Sequence, residues 1–113
     1  MPFVNSKVSV KMSEEQKDSI KTKLGRAIEC LGKSESWLMV GFEDEYCLYF
    51  KGQKTPKIAM VEVALYGKAS ANAYDKFTAQ VCEIFEEVLQ IPANQIYVKY
   101  DEVENWGWNG GNF

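Results

Sequence analysis

The second half of this chain repeats the order of the first, and that doubling restricts the folds open to it. Moving Ile20, Leu24, Ala27, Ile28 and Leu31 forward by 57 positions lands on Phe77, Val81, Ile84, Phe85 and Val88. Moving Leu38, Val40, Phe42, Glu43 and Asp44 forward by 58 lands on Ile96, Val98, Tyr100, Asp101 and Glu102. The first set has helical spacing and the second lies in strand-like segments, so each half reads as strand, helix, strand. Two β-α-β units predict an α+β fold: a four-stranded sheet with both helices on one face. The other sheet face is left without cover. A chain of 113 residues makes one domain, residues 1–113, too small to hide that face except by oligomerising.

Local signals place the elements. Pro2–Val10 is extended, with Val4, Ser6, Val8 and Val10 on one face. Ser13 with Gln16 three residues later forms a capping box that opens the first helix, and Gly32 stops it. Trp37–Phe42 reads as a buried strand and Tyr46–Phe50 as its continuation or a short edge partner. Lys51–Pro56 is turn-rich, Ile58–Tyr66 alternates as a strand, and Ser70–Leu89 is the second helix. Ile91-Pro92 breaks that helix, and Gln95–Tyr100 is the last strand.

Several chemistries are excluded by what is missing. With no histidine there is no imidazole base, no Ser-His or Cys-His dyad and no His-ligated metal, so no metal site is expected. Cys30, Cys47 and Cys82 are far apart and lack a Cys-x-x-Cys, which suggests buried reduced thiols. The single arginine, Arg26, removes bidentate arginine clamps. Thirteen basic against sixteen acidic residues give a net charge of −3 with no basic block, which argues against a nucleic-acid partner. No run approaches the ~20 apolar residues of a membrane span, and no leader precedes the fold. The expected location is cytoplasmic, with secretion independent of a signal peptide as the alternative. No cofactor is called for.

Catalysis is left to lysine, tyrosine, carboxylate, cysteine or the chain terminus. The chain opens Met1-Pro2, and an initiator methionine is ordinarily removed before a residue as small as proline. Removal leaves a rigid secondary amine at the start of a strand. An ordinary α-amine titrates near roughly 8, and desolvation or a nearby cation lowers that value, making it a general base near neutrality.

Met1-Pro2-Phe3, Leu31-Gly32-Lys33, Tyr66-Gly67, Ile91-Pro92, Ile96-Tyr97-Val98 and Trp106-Gly107-Trp108-Asn109 to Phe113 follow one another with a familiar order and spacing. Nearly end to end, the chain resembles the macrophage migration inhibitory factor and D-dopachrome tautomerase branch of the tautomerase superfamily. The resemblance implies a homotrimer with active sites between neighbouring subunits. It implies that Pro2 is the base in keto–enol tautomerisation of an α-keto acid such as phenylpyruvate. Lys33 matches the lysine that holds the substrate carboxylate, although a lysine there also suits a helix C-terminus. Tyr66 matches the residue whose backbone N–H binds the same carboxylate, with a bulkier side chain than the family's usual aliphatic one. Tyr97 matches the tyrosine supplied by the adjacent subunit. Phe3, Trp37, Trp106, Trp108 and Phe113 match a hydrophobic rim suited to an aromatic ring, although for Trp108 core and trimer packing is the better reading.

The departures are local. Lys99 stands where the best-known members have a substrate-contacting asparagine. It shares a strand face with Tyr97, so it either faces the site with Tyr97 or points into a central channel and pairs with Asp101 or Glu102. The Cys-x-x-Cys tied to thiol oxidoreductase activity is absent, so that activity is not expected. Two other classes compete with the enzyme: a cytokine-like signalling protein that binds a host receptor, and an unrelated ferredoxin-like oligomer with a regulatory ligand site.

Overall fold

The structure, a computed structural model, describes residues 1–113. Strand β1 (Pro2–Val8) leads to helix α1 (Glu14–Ala27), then β2 (Met39–Glu43) and β3 (Ala59–Tyr66). Helix α2 (Ala71–Leu89) and β4 (Ile96–Val103) follow, and a small hairpin, β5 (Gly107–Trp108) and β6 (Gly111–Asn112), ends the chain. The sheet order is β2-β1-β3-β4. β1 runs parallel to β2, β3 parallel to β4, and β1 antiparallel to β3, so the two β-α-β units meet back to back. The doubled sequence and the expected α+β sheet with two helices are both found.

The helix boundaries follow from capping chemistry. Ser13 Oγ accepts from the Gln16 N–H at 3.1 Å while the Ser13 N–H donates to Gln16 Oε1 at 2.9 Å, completing the box. α1 tightens into a 3-10 turn over Ile28–Leu31 and ends at Gly32, whose φ of +71° is open to glycine without strain. Ser70 Oγ accepts from the Ala73 N–H at 3.1 Å to start α2.

One face of each helix meets one face of the sheet. Ile20, Leu24 and Ile28 of the first unit and Phe77, Val81 and Phe85 of the second are fully buried against Val4, Val8, Val61 and Val63. Each such side chain contributes about 1.5–3 kcal/mol of transfer free energy. Ser6 is the polar exception: it is fully buried among them and its hydroxyl has no partner. Ser6→Ala is therefore expected to stabilise the fold by about 1 kcal/mol, the relief of an unpaired buried hydroxyl. A lower urea midpoint in the variant would show that the hydroxyl has a partner after all.

Four local expectations are corrected. Tyr46–Phe50 is not a strand; Phe50 makes only an isolated bridge with Gln53. Trp37 belongs to a 3-10 turn (Glu35–Trp37), and β2 is a half-exposed sheet edge rather than a buried strand. β4 runs three residues past Tyr100, because Asp101, Glu102 and Val103 continue the register with Ala64, Leu65 and Tyr66. Cys47 is exposed and Cys30 and Cys82 are half-buried, all reduced.

No helix covers the other face of the sheet, which carries a cluster of charged pairs flanked by the exposed Met39 and Tyr97. Glu62 receives Lys7 at 3.1 Å and Lys99 at 3.7 Å, and Lys99 also meets Asp101 at 3.4 Å. Asn5 donates to Glu43 at 2.8 Å and to Glu62 at 3.5 Å. The lysine hydrogen bond, strongest among the causes, holds the Glu62 carboxyl below its ordinary range. The paired charges tolerate water, whereas Met39 and Tyr97 leave apolar surface on the same face for a neighbour to cover. No helix is long and apolar enough to cross a membrane.

Candidate active site

The first residues of β1 gather groups from three other parts of the chain. Pro2 is buried and lies opposite Leu65, near the end of β3. Gly32 turns the chain out of α1, and the next residue, Lys33, reaches across so that its Nζ donates to the Tyr66 carbonyl at 2.9 Å. The Tyr66 N–H in turn donates to the Met1 carbonyl at 3.0 Å. Lys33, Tyr66 and the residue bonded to Pro2 thus form one polar cluster at the N-terminal end of β1. The Met1 amine there titrates below its ordinary value, first because burial disfavours its charge and second because Lys33 repels it.

Aromatic walls rise beside this cluster. Pro2, Phe3, Trp37, Met39, Trp106 and Trp108 line an open cleft of about 590 Å³. Trp37 and Trp108 meet edge to face, centroids 4.9 Å apart at 86°. Phe113 stacks on Trp108 at 6.3 Å and tilts against Tyr66 at 5.7 Å, joining the rim to the polar end. The Phe113 N–H donates to the Trp106 carbonyl at 3.0 Å, which folds the C-terminal hairpin over the cleft. A planar apolar group fits between these rings, and an anion suits the Lys33 end. No three His, Cys, Asp or Glu side chains converge to hold a metal ion.

Of the residues singled out from sequence, Pro2, Phe3, Lys33, Tyr66, Trp37, Trp106 and Phe113 meet at this end of one chain. Trp108 joins them, contrary to its reading as core: it is 52% exposed and forms a wall of the cleft. The period-2 spacing of Trp106 and Trp108 was the available signal, since such residues share a strand face. Tyr97 and Lys99 do not meet Pro2 within the chain. Tyr97 is opposite Met60, five residues along β3 from the partner of Pro2, or about 17 Å. It lies on the charged face, 61% exposed, edge-on to Phe50 at 5.0 Å. Lys99 shares that face and its ammonium is paired with Glu62 and Asp101.

This sheet of two β-α-β units, with a proline opening its first strand beside a lysine and an aromatic cleft, is the tautomerase fold. The family described as macrophage migration inhibitory factor matches residues 1–113. The chain belongs to the macrophage migration inhibitory factor family. It is 29% identical over 84 residues to the macrophage migration inhibitory factor of Xenopus laevis, covering 73% of this chain and 72% of that one. The crystal structure of Leishmania major MIF2 superposes with a TM-score of 0.94 at 31% identity, over 100% of this chain and 97% of that one. The Toxoplasma gondii macrophage migration inhibitory factor shares the fold, with a TM-score of 0.91 at 23% identity over 98% and 99% of the two chains.

Proposed function

We propose that this protein is a keto–enol tautomerase of phenylpyruvate-like α-keto acids, with the Pro2 amine as general base once Met1 is removed. The observation that carries this reading is the Tyr66 backbone beside Pro2: its N–H meets the Met1 carbonyl and its carbonyl accepts from Lys33. While Met1 is present, the Pro2 nitrogen is a tertiary amide without basicity, and the Met1 carbonyl occupies the Tyr66 N–H. Excision changes both at once. It leaves a secondary amine in surroundings that already depress an amine by burial and by Lys33, and it frees the Tyr66 donor.

The substrate carboxylate binds the Lys33 ammonium and the Tyr66 N–H. Its ring lies against Phe3, Trp37, Trp106 and Phe113, joined by Trp108. Neutral Pro2 takes the enol hydroxyl proton and returns it to the benzylic carbon beside the keto carbon, the carbon–carbon double bond becoming the carbonyl, or the reverse. The proton only changes position, so no cofactor or co-reactant is required. Tyr97 reaches the same site from a neighbouring subunit of a homotrimer and orients the substrate, whereas the pairing of Lys99 with Glu62 and Asp101 favours the channel-facing alternative for that lysine.

The direct test is an intact mass, to establish whether Met1 is gone, followed by turnover of phenylpyruvate. The reading fails if chain lacking Met1 is folded and inactive. Sedimentation at micromolar concentration is expected to show a species three times the 12.9 kDa chain mass. A monomer would remove Tyr97 from the site, because it lies too far from Pro2 to act within one chain. The half-exposed aromatic rim also suits a second reading, a cytokine-like protein docking a host receptor through the same cleft. A receptor-binding protein whose Pro2 chemistry is vestigial would bind without turnover.

A further inference from the structure

Only three residues, Gly67 to Ala69, join the end of β3 to the Ser70 cap of α2, and the groups proposed to bind the carboxylate sit at the first end of this connection. Gly67 turns with a φ of +82°, and its N–H donates to the Val103 carbonyl at 3.0 Å. The remaining hold on the connection is a side chain. Tyr74, on the first turn of α2, accepts the Ala69 N–H at 3.0 Å on its hydroxyl and donates the hydroxyl proton to Glu102 Oε2 of β4 at 2.6 Å. One oxygen therefore ties connection, helix and strand together.

The Tyr74 ring is itself anchored. It lies 4.5 Å from the Tyr100 ring, and the Tyr100 hydroxyl, bonded to Thr78 Oγ1 at 2.7 Å, donates to the Tyr74 carbonyl at 3.0 Å. Burial first, then the bond to Glu102, raises the Tyr74 hydroxyl above its ordinary range, so it stays protonated and keeps donating. Glu102 is in register with Leu65, the strand partner of Pro2. The latch is thus referred to the same rows of the sheet that fix Pro2.

We infer that the Tyr74–Glu102 latch positions the Tyr66 backbone, and with it the Lys33 ammonium bonded to the Tyr66 carbonyl, for recognition of the substrate carboxylate. Neither residue touches substrate; both act through Tyr66. The inference rests on the tautomerase reading for what the site binds, but not for how the segment is held. A group that binds the carboxylate equally in ground and transition states governs KM and leaves kcat unchanged.

The experiment compares Tyr74→Phe and Glu102→Gln with the unaltered trimer. Tyr74→Phe is expected to raise KM for phenylpyruvate by about 3–10-fold with kcat within about 2-fold, the ratio for one ordinary hydrogen bond. KM for the phenylpyruvate methyl ester, which lacks the anion, is expected to stay put. Glu102→Gln keeps an acceptor for the Tyr74 hydroxyl and is expected to match the unaltered enzyme on both substrates. Amide hydrogen exchange across residues 66–69 is expected to quicken in Tyr74→Phe alone. Unchanged exchange overturns the latch whether or not the protein is a tautomerase. Quicker exchange with an unchanged phenylpyruvate KM, or with an equal rise for the ester, overturns its role in carboxylate recognition. If the unaltered enzyme turns over neither substrate, the tautomerase reading fails, and the exchange result alone decides the latch.

Discussion

Pro2→Ala is expected to lower kcat/KM for phenylpyruvate tautomerisation by about 100-fold or more, the scale of losing a positioned general base. The variant still ends in an amine once Met1 is removed, so the loss measures what the ring contributes. The pyrrolidine ring fixes the direction of the nitrogen lone pair, which a primary amine rotating about its Cα–N bond does not, and Pro2 is held at the first position of β1. The fold should be untouched, because position 2 has no N–H to give the β1 ladder when it is proline and alanine satisfies the same strand geometry. The pH profile supplies the second half of the test. The base works only when neutral, so kcat/KM rises with pH through the amine pKa and is lost below it. Burial and then Lys33 lower the Met1 amine, and the Pro2 amine that replaces it is expected to meet the same two causes, with its limb below that of a free terminus. Turnover equal to the parent in Pro2→Ala, or a limb at the value of an exposed terminus, would sink the mechanism.

Retention of Met1 is expected to cost more than Pro2→Ala. Protein made while methionine aminopeptidase is inhibited carries an amide at the Pro2 nitrogen, which accepts no proton at any working pH. It also carries the Met1 carbonyl on the Tyr66 N–H, 3.0 Å away, where a carboxylate oxygen is to bind. Loss of both base and anion donor predicts a fall of roughly 10³-fold or more in kcat/KM. Treatment with aminopeptidase should restore activity in step with the loss of methionine mass, which separates a blocked site from a misfolded one. The Tyr66 amide provides a readout without turnover: protected from exchange in the Met1 form, exposed after excision, and protected again when phenylpyruvate binds. Activity of the Met1 form equal to that of the excised form would show that the proline nitrogen is not the base.

The architecture was legible because it is local and repeated. The stripe Ile20, Leu24, Ala27, Ile28 and Leu31 and its counterpart in the second half can bury themselves only as helices. Ser13 with Gln16, and Gly32, mark their helix boundaries by hydrogen-bonding chemistry that needs no tertiary partner. The segment Tyr46–Phe50 misled for the converse reason. Its apolar and aromatic residues have strand propensity, yet propensity makes a strand only where a neighbouring backbone offers a ladder, and here only isolated bonds such as the Tyr46 N–H to the Val8 carbonyl at 2.9 Å form. β2 misled similarly: Leu38, Val40 and Phe42 are apolar, but the segment falls at a sheet edge, where one side has no strand.

By itself the sequence determined the doubled β-α-β order, the faces that enter the core, and the presence of a proline, a lysine and several aromatics with no histidine or arginine clamp to compete with them. Only the tertiary structure decided which of these meet. Lys33 and Tyr66 are 33 residues apart, and their 2.9 Å contact exists because the turn after α1 and the end of β3 reach the same end of the sheet. Trp108 enters the cleft because the C-terminal hairpin folds back onto Trp37. The open face acquired a charged cluster because register aligned Glu62 with both Asn5 and Lys99. Periodicity reports which side a residue faces, since that depends on local backbone geometry alone. Strand pairing and register set what stands opposite it, and those are fixed by the summed packing of segments far apart in the chain.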